Sequence, residues 1–317
     1  MTTTVETARA AWLAERRKGI GASEVAAILG ADPRRGPLAL YAEKVDAYVR
    51  EDTPWLAWGR RAEGLVADVY AEESGRQVLE PVGGPYEIVR SREVPIIGAT
   101  LDRVTTGSEQ WPAPVTATKP ADVSGPLECK MVSSFTAARW REEAPLEYQI
   151  QLQVQMFCVG ARWGVLAALI GWPPRPVWVD VERNDRFLAV AIPKVEAFWH
   201  RVVNRDPPDT DSTPETSPAI RALWPADTGE TITLAHDTLD LVMRWEAAKA
   251  RSTSFEAEAD DLGNQLRARM RDATVGLLAD GTSLVLKTVS RKAYTTVHDA
   301  TTYRTLRRFI PKGRGQL

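Results

Sequence analysis

Apolar positions recur along this chain at two spacings, and each change of spacing marks a new element. Val25, Ala26, Ile28 and Leu29 follow Ser23 at helical spacing. Ser23 is the expected N-cap, and Gly30, Pro33 and Pro37 end the pattern. A long helix is predicted over about Trp58 to Ser74, with Leu65, Val66, Val69 and Tyr70 on its apolar face and Gly75 closing it. The pattern then shortens to strands at 77–82, 86–89 and 96–101, the last leading into Asp102. A strand over 127–131 carries Glu128 and Lys130. Residues 145–159 read as a helix, 162–170 and 177–182 as strands, and 187–203 as a helix with Pro193 at a break or a first turn.

Composition changes after Arg205. Residues 206–225 hold five prolines among small polar residues, which reads as a tether or lid at a domain boundary. The expected organisation is a domain over 1–205, a proline-rich linker or lid over 206–233, and a C-terminal region over 234–317. That last region is expected to be helical to about Asp272, then a strand over 283–290, then a basic tail with Arg304, Arg307, Arg308, Lys312 and Arg314. The turn-rich stretch 105–126 exceeds an ordinary hairpin loop and reads as an insertion or surface flap.

The 317 residues are 44% hydrophobic and 26% charged, an ordinary globular mixture. A formal net charge of -2 weighs against broad nonspecific nucleic-acid binding, but leaves room for a local basic groove. Two cysteines imply no disulfide framework. No run approaches a membrane span, and the first residues contain no secretory core, so a cytoplasmic protein is expected.

Two constellations carry chemistry. Glu128 and Lys130 are two apart, so on a strand they share a face while Cys129 points to the other. With Asp102 on an adjoining antiparallel strand, two carboxylates and an ammonium converge. Hard oxygen ligands of this kind hold Mg²⁺ near a phosphate. Taken alone, the same residues fit a surface salt bridge better; the apolar β-like runs around them and the glutamine-rich helix that follows favour the metal centre. Glu63 either faces that centre or pairs with Arg60 or Arg61 in solvent. Gln151 and Gln155 share one face of a helix, and Gln151 is placed to align a water or a carboxylate. Gln153 faces elsewhere. The second constellation is Arg16, Arg17 and Lys18, followed by Gly19, Gly21 and Ser23 at a helix start. Backbone N–H groups, a hydroxyl and a guanidinium there suit a phosphate. An ordinary capped helix beside a charged loop is the alternative.

The stretches RRKGIGASEVAAILG, WGRRAEGLVADVY, IIGATLDR, LECK and YQIQLQVQMFCVG, in that order, resemble the YqaJ-like viral recombinase family, related to the phage lambda exonuclease within the PD-(D/E)XK nuclease superfamily. The resemblance covers residues 12–203. It implies an α/β fold, a PD-(D/E)XK restriction-endonuclease-like core with a central mixed sheet flanked by helices, here with a helical C-terminal extension. It implies a Mg²⁺-dependent deoxyribonuclease, with Mn²⁺ as a substitute. Asp102, Glu128 and Glu63 become metal ligands, Lys130 the catalytic lysine and Gln151 the glutamine of the nucleophilic water. Arg16 and Ser23 become the 5′-phosphate site. The implied activity is 5′→3′ exonucleolytic digestion of linear double-stranded DNA with a 5′-phosphorylated end, leaving 3′ overhangs for recombination. An annealing protein as partner, a ring-shaped homo-oligomer and a phage or prophage setting in a bacterial host also follow. An endonuclease or nickase with the same centre, and a non-catalytic DNA-binding scaffold, are the alternatives. Two departures stand out: the segment between Asp102 and Glu128 is long, and Leu101 replaces the superfamily's proline.

Overall fold

The computed structural model describes residues 4–49, 53–107, 124–140, 143–229, 231–271, 273–278 and 283–288. In chain order the first part contains α1 (Thr4–Arg16), β1 (Ile20–Gly21), a 3₁₀ turn (Ala22–Glu24), α2 (Val25–Ile28), α3 (Pro37–Lys44) and α4 (Pro54–Ser74). Next come β2 (Val78–Leu79), β3 (Val89–Arg90), β4 (Ile97–Ala99), β5 (Arg103–Thr106) and β6 (Ser124–Val132). Then follow α5 (Leu146–Val159), β7 (Trp163–Ile170), β8 (Arg175–Glu182), α6 (Asp185–Asn204) and α7 (Thr216–Leu223).

The expected mixed sheet flanked by helices is present. Its strand order is β2-β5-β6-β7-β8; β6 and β7 run parallel and the other neighbours antiparallel. Helix α5 is the crossover that a parallel pair requires. All eight residues of β7 are buried, as its continuous apolar run demands of a central strand. On one face, Val66, Ala67 and Tyr70 of α4 pack against Leu127, Cys129, Val165, Ala167 and Leu169. On the other, Leu152 and Met156 of α5 pack against Leu166. A smaller sheet, β1-β4-β3, packs with α2, α5 and α6 in a second core.

Four expectations need correction. Helix α4 starts at Pro54, not Trp58: the Thr53 hydroxyl accepts from Leu56 N at 3.3 Å, and Pro54 occupies the first turn, where it costs no hydrogen bond. Leu65 faces solvent, and Ala62, Val66, Ala67 and Tyr70 form the buried stripe. Pro193 lies inside α6 without ending it, because Leu188, Ala191, Ile192, Val195, Phe198 and Val202 bury a strongly apolar face on both sides. The first compact unit extends to Pro225, so much of the segment expected as a linker is folded. Its helix α7 buries Ala219 against Ala39 and Ala42 of α3.

The second unit spans Ala226–Leu317. It holds α8 (Thr238–Met270), 33 residues long, and an antiparallel pair, β9 (Val275–Leu277) and β10 (Ser283–Val285). β9 was not anticipated: three residues are too few to show a period. No described residue of α8 is buried. The basic tail and most of the 105–126 insertion lie outside the described residues. Among the described residues, no helix is long and apolar enough to cross a membrane.

Candidate active site

The site begins at the point where the chain passes from the small sheet to the large one. β4 ends at Ala99 and β5 starts at Arg103, so Asp102 sits at the crossing. In the register of β5 and β6, Arg103 faces Leu127, which sets Asp102 beside Glu128. Its carboxylate Oδ2 accepts from the Cys129 N–H at 2.8 Å. Strand alternation does the rest: Cys129 enters the α4 core, while the Lys130 ammonium donates to Glu128 Oε1 on the opposite face.

Glu128 is only 1% exposed, and three other side chains hold it. Gln151 donates to Oε1 at 2.7 Å and Gln155 to Oε2 at 2.6 Å, both from α5, one turn apart. The Lys130 ammonium also lies 5.0 Å from the centre of the Tyr148 ring, at the start of the same helix. Sequence reasoning placed Gln155 on the right face but gave it no role. Gln153 is structural: buried, it donates to Glu182 O at 2.8 Å and accepts from Asn184 N at 2.7 Å.

Burial governs the electrostatics. Burial and the neighbouring Glu128 raise the Asp102 carboxyl well above its ordinary value, against the pull of Lys130. Glu63, on α4, is pushed up to about 7, chiefly by burial, with Glu128 adding to the rise and Lys130 opposing it. Burial acts to lower Lys130, but Glu128 and Asp102 outweigh it and hold the ammonium charged. The centre therefore crowds carboxylates into a poorly solvated pocket, a stress that a divalent cation would relieve. Three hard oxygen donors suit Mg²⁺. Among the described residues no three acids already form a ligand cage; the fit is one of donor chemistry.

The second constellation lines the same cavity. A cavity of about 390 Å³ touches Glu63, Asp102, Glu128, Lys130 and Gln151, and also Arg16 and Ser23. Arg16 ends α1, and its Nη2 donates to Ser23 Oγ at 3.1 Å and to Glu24 Oε1 at 3.2 Å. Ser23 is not the N-cap of a helix, as expected, but the middle of the 3₁₀ turn, whose cap position is Gly21. Gly19 and Gly21 line this cavity and are also packed closely within the fold. A Cβ at Gly19 would stand 2.2 Å from Ile96 O, which accepts from Ile20 N at 2.7 Å; one at Gly21 would crowd Arg16.

Known proteins resemble this chain in sequence or in fold. The protein YqaJ of Bacillus subtilis is 26% identical over 282 residues, 87% of this chain and 82% of that protein. An alkaline exonuclease from Laribacter hongkongensis, LHK-Exo, superposes with a TM-score of 0.49 at 20% identity, over 62% of this chain and 94% of its own. The same enzyme in complex with dAMP gives 0.49 at 19%, with the same coverage. The model of the YqaJ-like viral recombinase domain matches residues 11–162, which contain Arg16, Ser23, Glu63, Asp102, Glu128, Lys130 and Gln151. Over those residues the chain is similar to the YqaJ-like viral recombinase domain family.

Proposed function

We propose that this protein is a Mg²⁺-dependent deoxyribonuclease that digests linear double-stranded DNA from 5′-phosphorylated ends, 5′→3′, leaving 3′ overhangs for recombination. The observation that carries this reading is the single cavity of about 390 Å³ lined by both the acidic centre and the Arg16–Ser23 pair. A scissile phosphate beside the first would lie close to a terminal phosphate at the second.

Asp102, Glu128 and Glu63 would hold Mg²⁺, or Mn²⁺ in its place, which supplies Lewis-acid polarisation and charge neutralisation at the scissile phosphate. Lys130, fixed on Glu128 and close to Tyr148, offsets charge developing on the phosphate oxygens. Gln151, tethered to Glu128 Oε1, orients the attacking water. Ser23 Oγ accepts from Arg16, so its own proton is free for a phosphate oxygen, and the guanidinium adds charge-assisted hydrogen bonds. A phage or prophage setting, a single-strand annealing partner and a ring-shaped homo-oligomer are the context this reading expects.

Linear duplexes bearing a 5′ phosphate or a 5′ hydroxyl, labelled on one strand at a time, test the proposal in Mg²⁺. Stepwise loss from the phosphorylated 5′ strand is the expected result. Internal cuts, or digestion from the 3′ end, would overturn it.

A further inference from the structure

The residues behind Arg16 form a buried ionic cluster that the catalytic account leaves unused. Glu24 is buried and sits in the 3₁₀ turn next to Ser23. Its Oε2 accepts from Gly21 N at 2.7 Å and meets Lys44 Nζ at 2.7 Å; its Oε1 meets Arg16 Nη2 at 3.2 Å. Lys44, buried at the end of α3, also donates to the Arg16 backbone carbonyl at 2.9 Å. One carboxylate and one ammonium thus tie together the end of α1, the 3₁₀ turn and the end of α3, and both reach Arg16, one at its side chain and one at its backbone.

We infer that Glu24 and Lys44 are a positioning pair that holds the Arg16 guanidinium toward the cavity for recognition of the 5′-terminal phosphate; this rests on the proposed reading of Arg16. A bare buried pair is poor value for stability, since desolvation offsets most of the attraction, and apolar replacements of similar volume are often neutral. What it does supply is a fixed geometry. The exposures fit that division: the side chains of Glu24 and Lys44 are 6% and 3% exposed, while that of Arg16 is 26% exposed and lines the cavity. An arginine left to its own rotamers would lose much of its freedom on binding, and a preset one does not. Glu24 is a positioning residue, because it acts through Arg16.

The test compares kcat and KM on 5′-phosphorylated and 5′-hydroxyl duplex ends for the wild type, Arg16→Ala, Glu24→Gln and the double variant Glu24→Gln/Lys44→Met. The double variant leaves no unpaired buried charge, so it folds even where Glu24→Gln alone does not, and its thermal midpoint checks this. The expected result is that Arg16→Ala and the double variant each lose about tenfold of the phosphate preference, the scale of one charge-assisted hydrogen bond, through KM on phosphorylated ends and not through kcat. A purely structural pair would lower both substrates alike and leave the ratio intact. Loss of preference in Arg16→Ala with full preference in the folded double variant overturns this inference and leaves the proposed function standing. A wild type without any phosphate preference, or an Arg16→Ala that keeps it, overturns the reading of Arg16 itself and this inference with it.

Discussion

The two ends of the cavity solve the problem of buried charge in opposite ways. At the acidic centre, Glu63, Asp102 and Glu128 crowd around one ammonium, and burial with mutual repulsion pushes Glu63 up to about 7 and Asp102 well above its usual range. At the basic end, burial also acts to raise Glu24, but Lys44, Arg16 and Arg35 overcome it and hold the carboxyl down at about 2. The first site is unbalanced by its own residues and suits an incoming cation. The second is balanced internally, and on the proposed reading it presents the Arg16 guanidinium to an incoming anion. A burial penalty therefore reads differently according to whether the neighbouring charges cancel it.

Changes at the two ends should break this contrast in order of size. Asp102→Asn removes one donor of the centre and should lower Mg²⁺-dependent cleavage by about 10²-fold or more, with the fold retained or more stable; hydrolysis rates beside a thermal melt check both parts. An Asp102→Asn protein that cleaves normally would separate the acidic cluster from the chemistry. Gln155→Leu should weaken Mg²⁺ binding by about 10- to 100-fold, the usual scale for a residue that orients a metal ligand, because it frees Glu128 Oε2; calorimetric titration with Mg²⁺ measures it. Unchanged affinity would make Gln155 a packing residue only.

Stability against pH sharpens the contrast further. The Glu63 pKa is raised from 4.5 to about 7 in the fold, so its contribution is full below pH 4.5 and is lost as pH rises through 7. With metal chelated, the protein should lose up to about 3 kcal/mol across that window, and Glu63→Gln should lack that slope. Glu24 runs the other way. Its pKa is lowered to about 2, so its contribution is present above 4.5 and is lost as pH falls through 2. The stability difference between the wild type and Glu24→Gln should shrink on acidification through that range, as denaturant titrations will show. Parallel slopes for the two variants would erase the distinction between the ends.

The sequence made the acidic centre legible because strand alternation is a local rule: Glu128 and Lys130 share a face, and Cys129 the other, wherever the strand lies. The helix bearing Gln151 was equally plain, and the structure closes it at Gly160 in the left-handed conformation. That both Gln151 and Gln155 grip one carboxylate depends on how α5 sits against β6, which no local pattern encodes. The basic end was read correctly for Arg16 and Ser23 as neighbours and incorrectly for the helix cap. A signal for Glu24 was present, since glutamate three residues after Gly21 is a capping arrangement; the Lys44 partner, 20 residues further on, carried none. Within the stretch expected as a linker or lid, α7 was not anticipated, because prolines mark turns as readily as linkers and its burial shows only once α3 is in place.

Metal-dependent chemistry at Lys130 is best checked by cleavage of a linear duplex by the wild type and by Lys130→Ala, in Mg²⁺ and after chelation. Chelation should abolish cleavage by the wild type, and Lys130→Ala should lose about 10²- to 10³-fold while still folded at the assay temperature, with a lowered melting point because the buried carboxylates lose their ammonium. A folded Lys130→Ala protein that cleaves at the wild-type rate, or a wild type indifferent to chelation, would contradict it.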